Sequence, residues 1–173
     1  MTLHEIRSLI RDVPDFPKPG ILFKDITPLL ASPQGFKSTI DLLSDRVASF
    51  NADAILGIES RGFIFGAALA QRMMLPFHLV RKRGKLPRTS ISVAYELEYG
   101  TDHLEVHDDA IHPGGSYLIV DDLIATGGTA AAVAKLVHGQ GASVAACAFV
   151  IELDFLAGRK QLDGHSVVSL INY

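Results

Sequence analysis

Residues 116–130 read SYLIVDDLIATGGTA, and they place a strand, a polar turn and the start of a helix in one short stretch. Tyr117 to Val120 is an apolar run without polar alternation, the pattern of a parallel strand covered on both faces. The run ends at Asp121 and Asp122, passes Leu123, Ile124 and Ala125, and enters Thr126-Gly127-Gly128-Thr129. The alanines and apolar spacing of the following AAAVAKLVHG predict a helix that Gly139 ends. A strand-to-helix turn of this kind presents unpaired backbone N–H groups and the positive end of a helix dipole, and the glycines let an anion come close to the backbone. Thr126 and Thr129 add hydroxyl donors. An open, mostly parallel α/β sheet flanked by helices is the expected fold, because strands and helices alternate through most of the chain.

The two acids narrow the ligand. A bare anion site gains nothing from adjacent carboxylates, whereas a phosphate carried on a sugar with vicinal hydroxyls uses both, since carboxylates accept from hydroxyls. A ribose 5-phosphate satisfies that pattern. An Asp-Asp pair alone is equally well explained as a solvated turn; the strand, acids, glycines and helix in working order favour a ligand site. Other nucleotide motifs are missing: the closest approach to a Walker loop is Gly57–Gly62, GIESRG, followed by Phe63 where lysine is needed, and no GxGxxG follows a strand.

VDDLIATGGTA resembles the phosphoribosyl-pyrophosphate signature of the type I phosphoribosyltransferases, and its ATGGTA ending is similar to that of the adenine phosphoribosyltransferases. The resemblance implies that Asp121, Asp122, Ala125, Thr126, Gly127, Gly128 and Thr129 hold the phosphoribosyl group, with Asp122 among the catalytic residues. The likeness extends from Pro14 to Tyr173.

The bounds set by length and composition agree. The chain has 173 residues, 48% hydrophobic, with a formal charge of −3, so one domain with a real core is expected and a general nucleic-acid binder is not. The pI near 6.1 points the same way. Cys147, the single cysteine, sits in the apolar run VAACAFVI, where a reduced core thiol is expected. No targeting pattern or membrane-length apolar stretch occurs, so a cytoplasmic location without membrane partners is the default.

Leu3, Ile6, Leu9, Ile10 and Val13 repeat at helical spacing and predict a helix stopped before Pro14. PDFPKPGILFKDITPLL is too rich in Pro and Gly to be regular for long. Ile21-Leu22-Phe23 within it either docks on the core or offers an aromatic face to a flat ligand, and the residues alone favour the core. The segment is similar to the amino-terminal part of adenine phosphoribosyltransferases, which implies that Leu22, Phe23 and Lys24 bind adenine and that residues 1 to about 35 form a base-binding hood. Many relatives carry arginine at the position of Lys24; a backbone contact survives that exchange and a guanidinium contact does not.

Ser32-Pro33 opens a helix whose stripe is Phe36, Ile40, Leu43 and Val47. The strand ADAILGI then leads into Glu59-Ser60-Arg61-Gly62 and the helix FIFGAALAQRM, repeating the strand, turn and helix order with a cation added. Spacing alone leaves Arg61 either a surface residue or a ligand for a second anion; ESRGF resembles the family's pyrophosphate-binding turn, which implies roles for Glu59, Ser60 and Arg61, the last also catalytic. A short strand from Pro76 to Val80 delivers five cations within Arg81–Arg88. Such a run is usually a solvated face, but VRKRGKLP resembles the family element that implies Arg81, Lys82 and Lys85 at the pyrophosphate. YELEYG, residues 95–100, resembles the mobile catalytic loop and makes Glu98 the catalytic acid, with Ala94 where relatives often have serine. The histidines show no ligand spacing with cysteine. Further strands are expected at His103–His107, Ser143–Leu153 and His165–Ile171, with a short helical or turn segment at Phe155–Leu162.

The activity implied is adenine plus 5-phosphoribosyl 1-pyrophosphate giving AMP and pyrophosphate, a purine-salvage reaction, with Mg²⁺ held by substrate and water and a homodimer as the assembly. Two rivals are the same fold acting on hypoxanthine, guanine or orotate, and a non-enzymatic regulator that senses phosphoribosyl pyrophosphate. Phe23 and YELEYG argue against the first, and the lack of a winged-helix or basic extension before Pro14 against the second.

Overall fold

The computed structural model describes residues 1–96 and 101–173, and of Glu96 the backbone alone. The chain divides into two compact units, Met1–Leu42 and Leu43–Tyr173.

In the first unit, α1 (Leu3–Ser8) begins with a capping box: Glu5 N–H donates to Thr2 Oγ1 at 3.3 Å, and Thr2 N–H donates to Glu5 Oε2 at 2.7 Å. The helix is shorter than its apolar spacing predicts. Arg11–Pro14 is instead a strand, β1, paired antiparallel with β2 (Leu22–Asp25) in the register Val13↔Phe23. Cross-strand pairing within this segment overrides the helical period, and Pro14, which has no N–H to give, sits at the end of the ladder. A single turn of helix, α2 (Thr27–Leu30), follows. In α3 (Pro33–Val47) the N-cap is as expected, with Gly35 N–H donating to Ser32 Oγ at 3.1 Å. Ile40, Leu43 and Val47 are buried and Phe36 half-buried.

The second unit is built on a seven-stranded sheet in the order β5-β6-β4-β3-β7-β8-β9. Its strands are β3 (Ala54–Ile58), β4 (Phe77–Lys82), β5 (Ser90–Glu96), β6 (Thr101–His107), β7 (Ser116–Ile124), β8 (Ser143–Glu152) and β9 (Val167–Asn172). The pairs β3/β4, β3/β7, β7/β8 and β8/β9 are parallel, and β4/β6 and β5/β6 are antiparallel, so the expected open, mostly parallel sheet is present. Helix α4 (Gly62–Met73) packs on β3 and β7, and α5 (Gly128–Gly139) packs on β5, β7 and β8. Val133 and Val137 of α5 share a buried cluster with Leu56, Val80, Leu104, Ile119 and Phe149. Cys147 is buried there, and desolvation pushes its thiol up to about 12. Among the described residues no helix is long and apolar enough to cross a membrane.

Two elements of this second unit differ from expectation. Ser90–Glu96, for which no strand was expected and whose last two residues belong to the YELEYG likened to a mobile loop, is paired with β6 along its length, from Ser90↔His107 to Glu96↔Thr101. Ile91, Val93 and Tyr95 alternate along it and pack against the core, the period-two signal of a strand covered on one face. The second is the signature strand, which continues through both acids to Ile124. Its neighbour β3 pairs with it only as far as Gly57↔Val120, whereas β8 stays paired to Ile124↔Glu152. Beyond Val120 the β3 side of β7 is therefore free of strand, and the two acids lie beside the turn that follows β3.

Candidate active site

The turn after β7 lines a small cavity. Gly127 caps α5 with φ +84°, a left-handed conformation that glycine adopts without a Cβ penalty. The helix proper begins at Gly128, and the first bond across the turn runs from Ala131 N–H to Gly127 O at 3.0 Å. The amides ahead of Ala131 thus have no partner within the helix, the usual condition of a helix N-terminus. A cavity of about 90 Å³ is lined by Asp121, Ala125, Thr126, Gly127, Thr129 and neighbouring apolar groups. The geometric demand for glycine falls on Gly127, because Gly128 already has its place in the helix.

The acids split their tasks. Asp121 lines the cavity, and its Oδ1 accepts from Asp122 N–H at 2.8 Å. Asp122 is buried, with Oδ2 at 3.1 Å from Arg61 Nε and accepting no hydrogen bond among the described residues. Burial, followed by the neighbouring Asp122 charge, raises the Asp121 carboxyl well above its usual range. Burial raises Asp122 too, while Arg61 pulls in the opposite direction.

A raised folded-state pKa favours the protonated native form. The stability this contributes is present below the unfolded value of about 4, and it is lost as pH rises through the higher folded value. Asp121→Asn keeps the acceptor for Asp122 N–H and removes the charge. We expect its melting temperature to exceed that of the unsubstituted chain at about pH 7, with the gap closing as pH falls toward about 4. A gap that stays constant over that range would show that Asp121 is not held against its own ionisation.

The turn after β3 and the end of β4 make a second, cationic cluster. Glu59 gathers it: Arg81 Nε lies 3.3 Å from Oε2, Lys82 N–H donates to the same oxygen at 3.0 Å, and Lys85 Nζ pairs with Oε1. Arg81 Nη1 also donates to Lys85 O at 3.0 Å. Burial pushes the Glu59 carboxyl up, but its bonds to Lys85 and Lys82 more than offset this and hold it below the usual range. Ser60 is exposed and Arg61 half-exposed at the head of α4. The Lys82 side chain turns elsewhere, with Nζ at 3.1 Å from Asp102 Oδ2. Asp102 also faces Tyr95, whose hydroxyl donates to its Oδ2 at 3.3 Å.

Of the expected site residues, Glu59, Arg81 and Lys85 are brought together, and Arg61 meets Asp122. Asp102 was not anticipated; its partnership with Lys82 comes from the β4/β6 pairing Lys82↔Leu104, which no local motif encodes. Ala94 lies on β5 and Glu98 lies outside the described residues. Within the first unit, Phe23 is half-buried and meets Phe16 edge to face, with centroids 5.1 Å apart, while Leu22 is exposed. Lys24 is buried, with Nζ donating to Asp12 Oδ1 at 2.6 Å. Its ammonium therefore has a structural partner where a guanidinium ligand would be expected to reach out.

The family model for the phosphoribosyl transferase domain matches residues 25–172. Adenine phosphoribosyltransferase of Rubrobacter xylanophilus is 55% identical over 173 residues, covering 99% of this chain and 94% of that protein. The crystal structure of adenine phosphoribosyltransferase from Thermoanaerobacter pseudethanolicus superposes with a TM-score of 0.97 at 52% identity, covering 99% of this chain and 100% of that one. The Saccharomyces cerevisiae enzyme, complexed with an imino-altritol bisphosphate and adenine, gives a TM-score of 0.91 at 42% identity with 97% of each chain covered. With the anion cradle, the paired acids and the cationic turn all at carboxyl ends of parallel strands, the chain belongs to the phosphoribosyl transferase family, among the adenine phosphoribosyltransferases.

Proposed function

We propose that the chain transfers the 5-phosphoribosyl group of 5-phosphoribosyl 1-pyrophosphate to adenine, giving AMP and pyrophosphate in purine salvage. The observation that carries this reading is the side-by-side placement of an anion cradle with carboxylates, at the end of β7, and a second cationic turn at the end of adjacent β3. One ligand with phosphate at one end and pyrophosphate at the other accounts for both.

Amides of 126–129 and the two threonine hydroxyls take the 5′-phosphate, and Asp121 and Asp122 take the ribose hydroxyls. Arg81 and Lys85, oriented by Glu59, receive the pyrophosphate together with Arg61, which is paired with Asp122, and Lys82, whose side chain is paired with Asp102, with Ser60 at the same turn. The bond from the anomeric carbon to pyrophosphate oxygen breaks as a ring nitrogen of adenine bonds to that carbon. The carboxylates at the end of β7 balance positive charge on the sugar, and arginine and lysine charges balance the leaving group. Glu98 accepts the proton released by the base.

Among the described residues no three His, Cys, Asp or Glu side chains form a metal-binding group. The oxygen donors present, Asp121 and Asp122, fit Mg²⁺ held mostly by substrate oxygens and water. When bound there it would neutralise pyrophosphate charge. We assign residues 1–173 to one functional domain, with 1 to about 35 supplying base recognition through Leu22, Phe23 and the Lys24 backbone, and place the protein in the cytoplasm with its phosphorylated substrates. A homodimer follows from the family resemblance; Ile64 on α4, Met74 at its C-cap and Leu79 on β4 are exposed apolar groups that a second copy would cover.

The activity is tested by mixing the pure chain with adenine, 5-phosphoribosyl 1-pyrophosphate and Mg²⁺. AMP and pyrophosphate in equal amounts are expected, and no product with adenine would overturn the reading. Phe23→Ala should weaken adenine binding by about 1–3 kcal/mol, the usual worth of base stacking on an aromatic ring, with phosphoribosyl pyrophosphate affinity little changed. Calorimetry with each ligand checks this; equal losses for both would make Phe23 a packing residue.

A further inference from the structure

The phosphate cradle rests on a part of the second unit that the reaction does not touch. A side chain at Gly158 would run into Ala125 O, Ile124 Cγ1 at 2.9 Å and Gly127 N at 3.1 Å. A side chain at Gly127 would in turn run into Gly158 O, with Gln161 Cβ at 3.1 Å. The two backbones are therefore packed directly on each other, and the position of Ala125–Gly127 depends on where the turn at 154–162 is held. Two short 3₁₀ segments, Asp154–Leu156 and Gly158–Leu162, make up that turn, and neither has the hydrogen-bond ladder that makes a long helix rigid by itself.

Arg159, the next residue, supplies the anchor. Its guanidinium forks onto the buried Glu152, Nε to Oε1 at 2.6 Å and Nη2 to Oε2 at 2.7 Å. Nη2 also donates to Ser169 Oγ at 3.0 Å, and Nη1 to Val167 O at 2.9 Å. Ser169 Oγ donates to Glu152 Oε2 at 2.5 Å, so the carboxylate, itself at the end of β8, is held from β9 and from the turn at once. Burial pushes Glu152 up, but the bonds from Arg159 and Ser169 outweigh it and keep the carboxyl below its usual range. A bidentate fork fixes direction as well as distance, which a lysine ammonium does not.

We propose that Arg159 is a positioning residue for the 5′-phosphate cradle, acting through Glu152 and Ser169 to seat Gly158 against Ala125–Gly127. The inference rests on the reading of residues 126–129 as the 5′-phosphate site. Because the hydrogen bonds of this anchor run to Glu152, Val167 and Ser169, whereas Arg81 and Lys85 are held by Glu59, loss of Arg159 should separate the two ends of the substrate. In Arg159→Ala, dissociation constants for AMP and ribose 5-phosphate should rise by about 10²-fold, the scale of a misplacement near 1 Å, while that for pyrophosphate stays within about twofold of the unsubstituted chain. KM for phosphoribosyl pyrophosphate should rise far more than kcat falls. Arg159→Lys, which keeps the charge and loses the fork, should be intermediate, and it carries the same test if Arg159→Ala does not fold. Gly158→Ala, which leaves the ion pair in place, should reproduce the selective loss.

Calorimetry with ribose 5-phosphate, AMP and pyrophosphate decides the matter, with melting temperatures recorded alongside. Unchanged ribose 5-phosphate affinity in the folded variants, or equal losses for ribose 5-phosphate and pyrophosphate, would overturn the positioning role. Failure of the unsubstituted chain to bind ribose 5-phosphate would instead strike at the site assignment itself.

Discussion

Gly127→Ala will reduce kcat/KM for phosphoribosyl pyrophosphate by at least about 10²-fold, the consequence of losing roughly 2.8 kcal/mol of transition-state binding. At φ +84° an alanine pays a left-handed penalty of about 1–2 kcal/mol, and its Cβ would also overlap Gly158 O. Neither conflict can be relieved by rotating a side chain, because both partners are backbone. The loop must therefore shift, and the amides aimed at the phosphate shift with it. Steady-state kinetics beside a thermal melt checks this; a folded Gly127→Ala chain with normal KM would mean that the loop tolerates displacement and does not grip the phosphate.

Glu98→Gln will lower turnover by about 10²–10⁴-fold, the usual contribution of a positioned acid or base, with little change in phosphoribosyl pyrophosphate affinity. Glu98 lies outside the described residues, so the assignment rests on the match of YELEYG to the family loop and on its place in the chain. The strands on either side of it in the chain, β5 and β6, are paired up to Glu96↔Thr101. Glu96→Gln is the control and should remain near normal in rapid-quench assays. A crippled Glu96→Gln beside a fully active Glu98→Gln would reverse the register of the loop.

The parts of this architecture that were legible in the sequence are those whose signals are local. Residues 116–130 declare strand, turn and helix within one short stretch, and the turn after Ile58 repeats the order, so both strand-to-helix turns are legible in the sequence. The parts that were hidden depend on pairing at a distance. Val13 fits a helical period with Ile6 and Ile10, but its environment is set by Phe23 across the β1/β2 ladder. A lysine in a Pro-rich loop reads as exposed, whereas Lys24 is buried with Asp12 of the neighbouring strand as a partner. The alternation of Ile91, Val93 and Tyr95 is present in the sequence, but it runs into YELEYG, whose likeness to a mobile loop masks the strand. Gly158 and Arg159 gave a weaker signal still: a glycine beside an arginine in LAGRKQL is ordinary turn composition until Ala125 and Glu152 are seen on either side.

The central claim is that β7 and its turn hold the phosphoribosyl end of the substrate while the turn after β3 serves the pyrophosphate. A crystal structure of the chain with AMP and pyrophosphate tests it most directly. The account predicts the 5′-phosphate on the amides and hydroxyls of residues 126–129, the ribose hydroxyls on Asp121 or Asp122, and the pyrophosphate at Arg61, Arg81 and Lys85. An AMP phosphate seated on Arg81 and Lys85, with the cradle at Thr126–Thr129 unused, would contradict it.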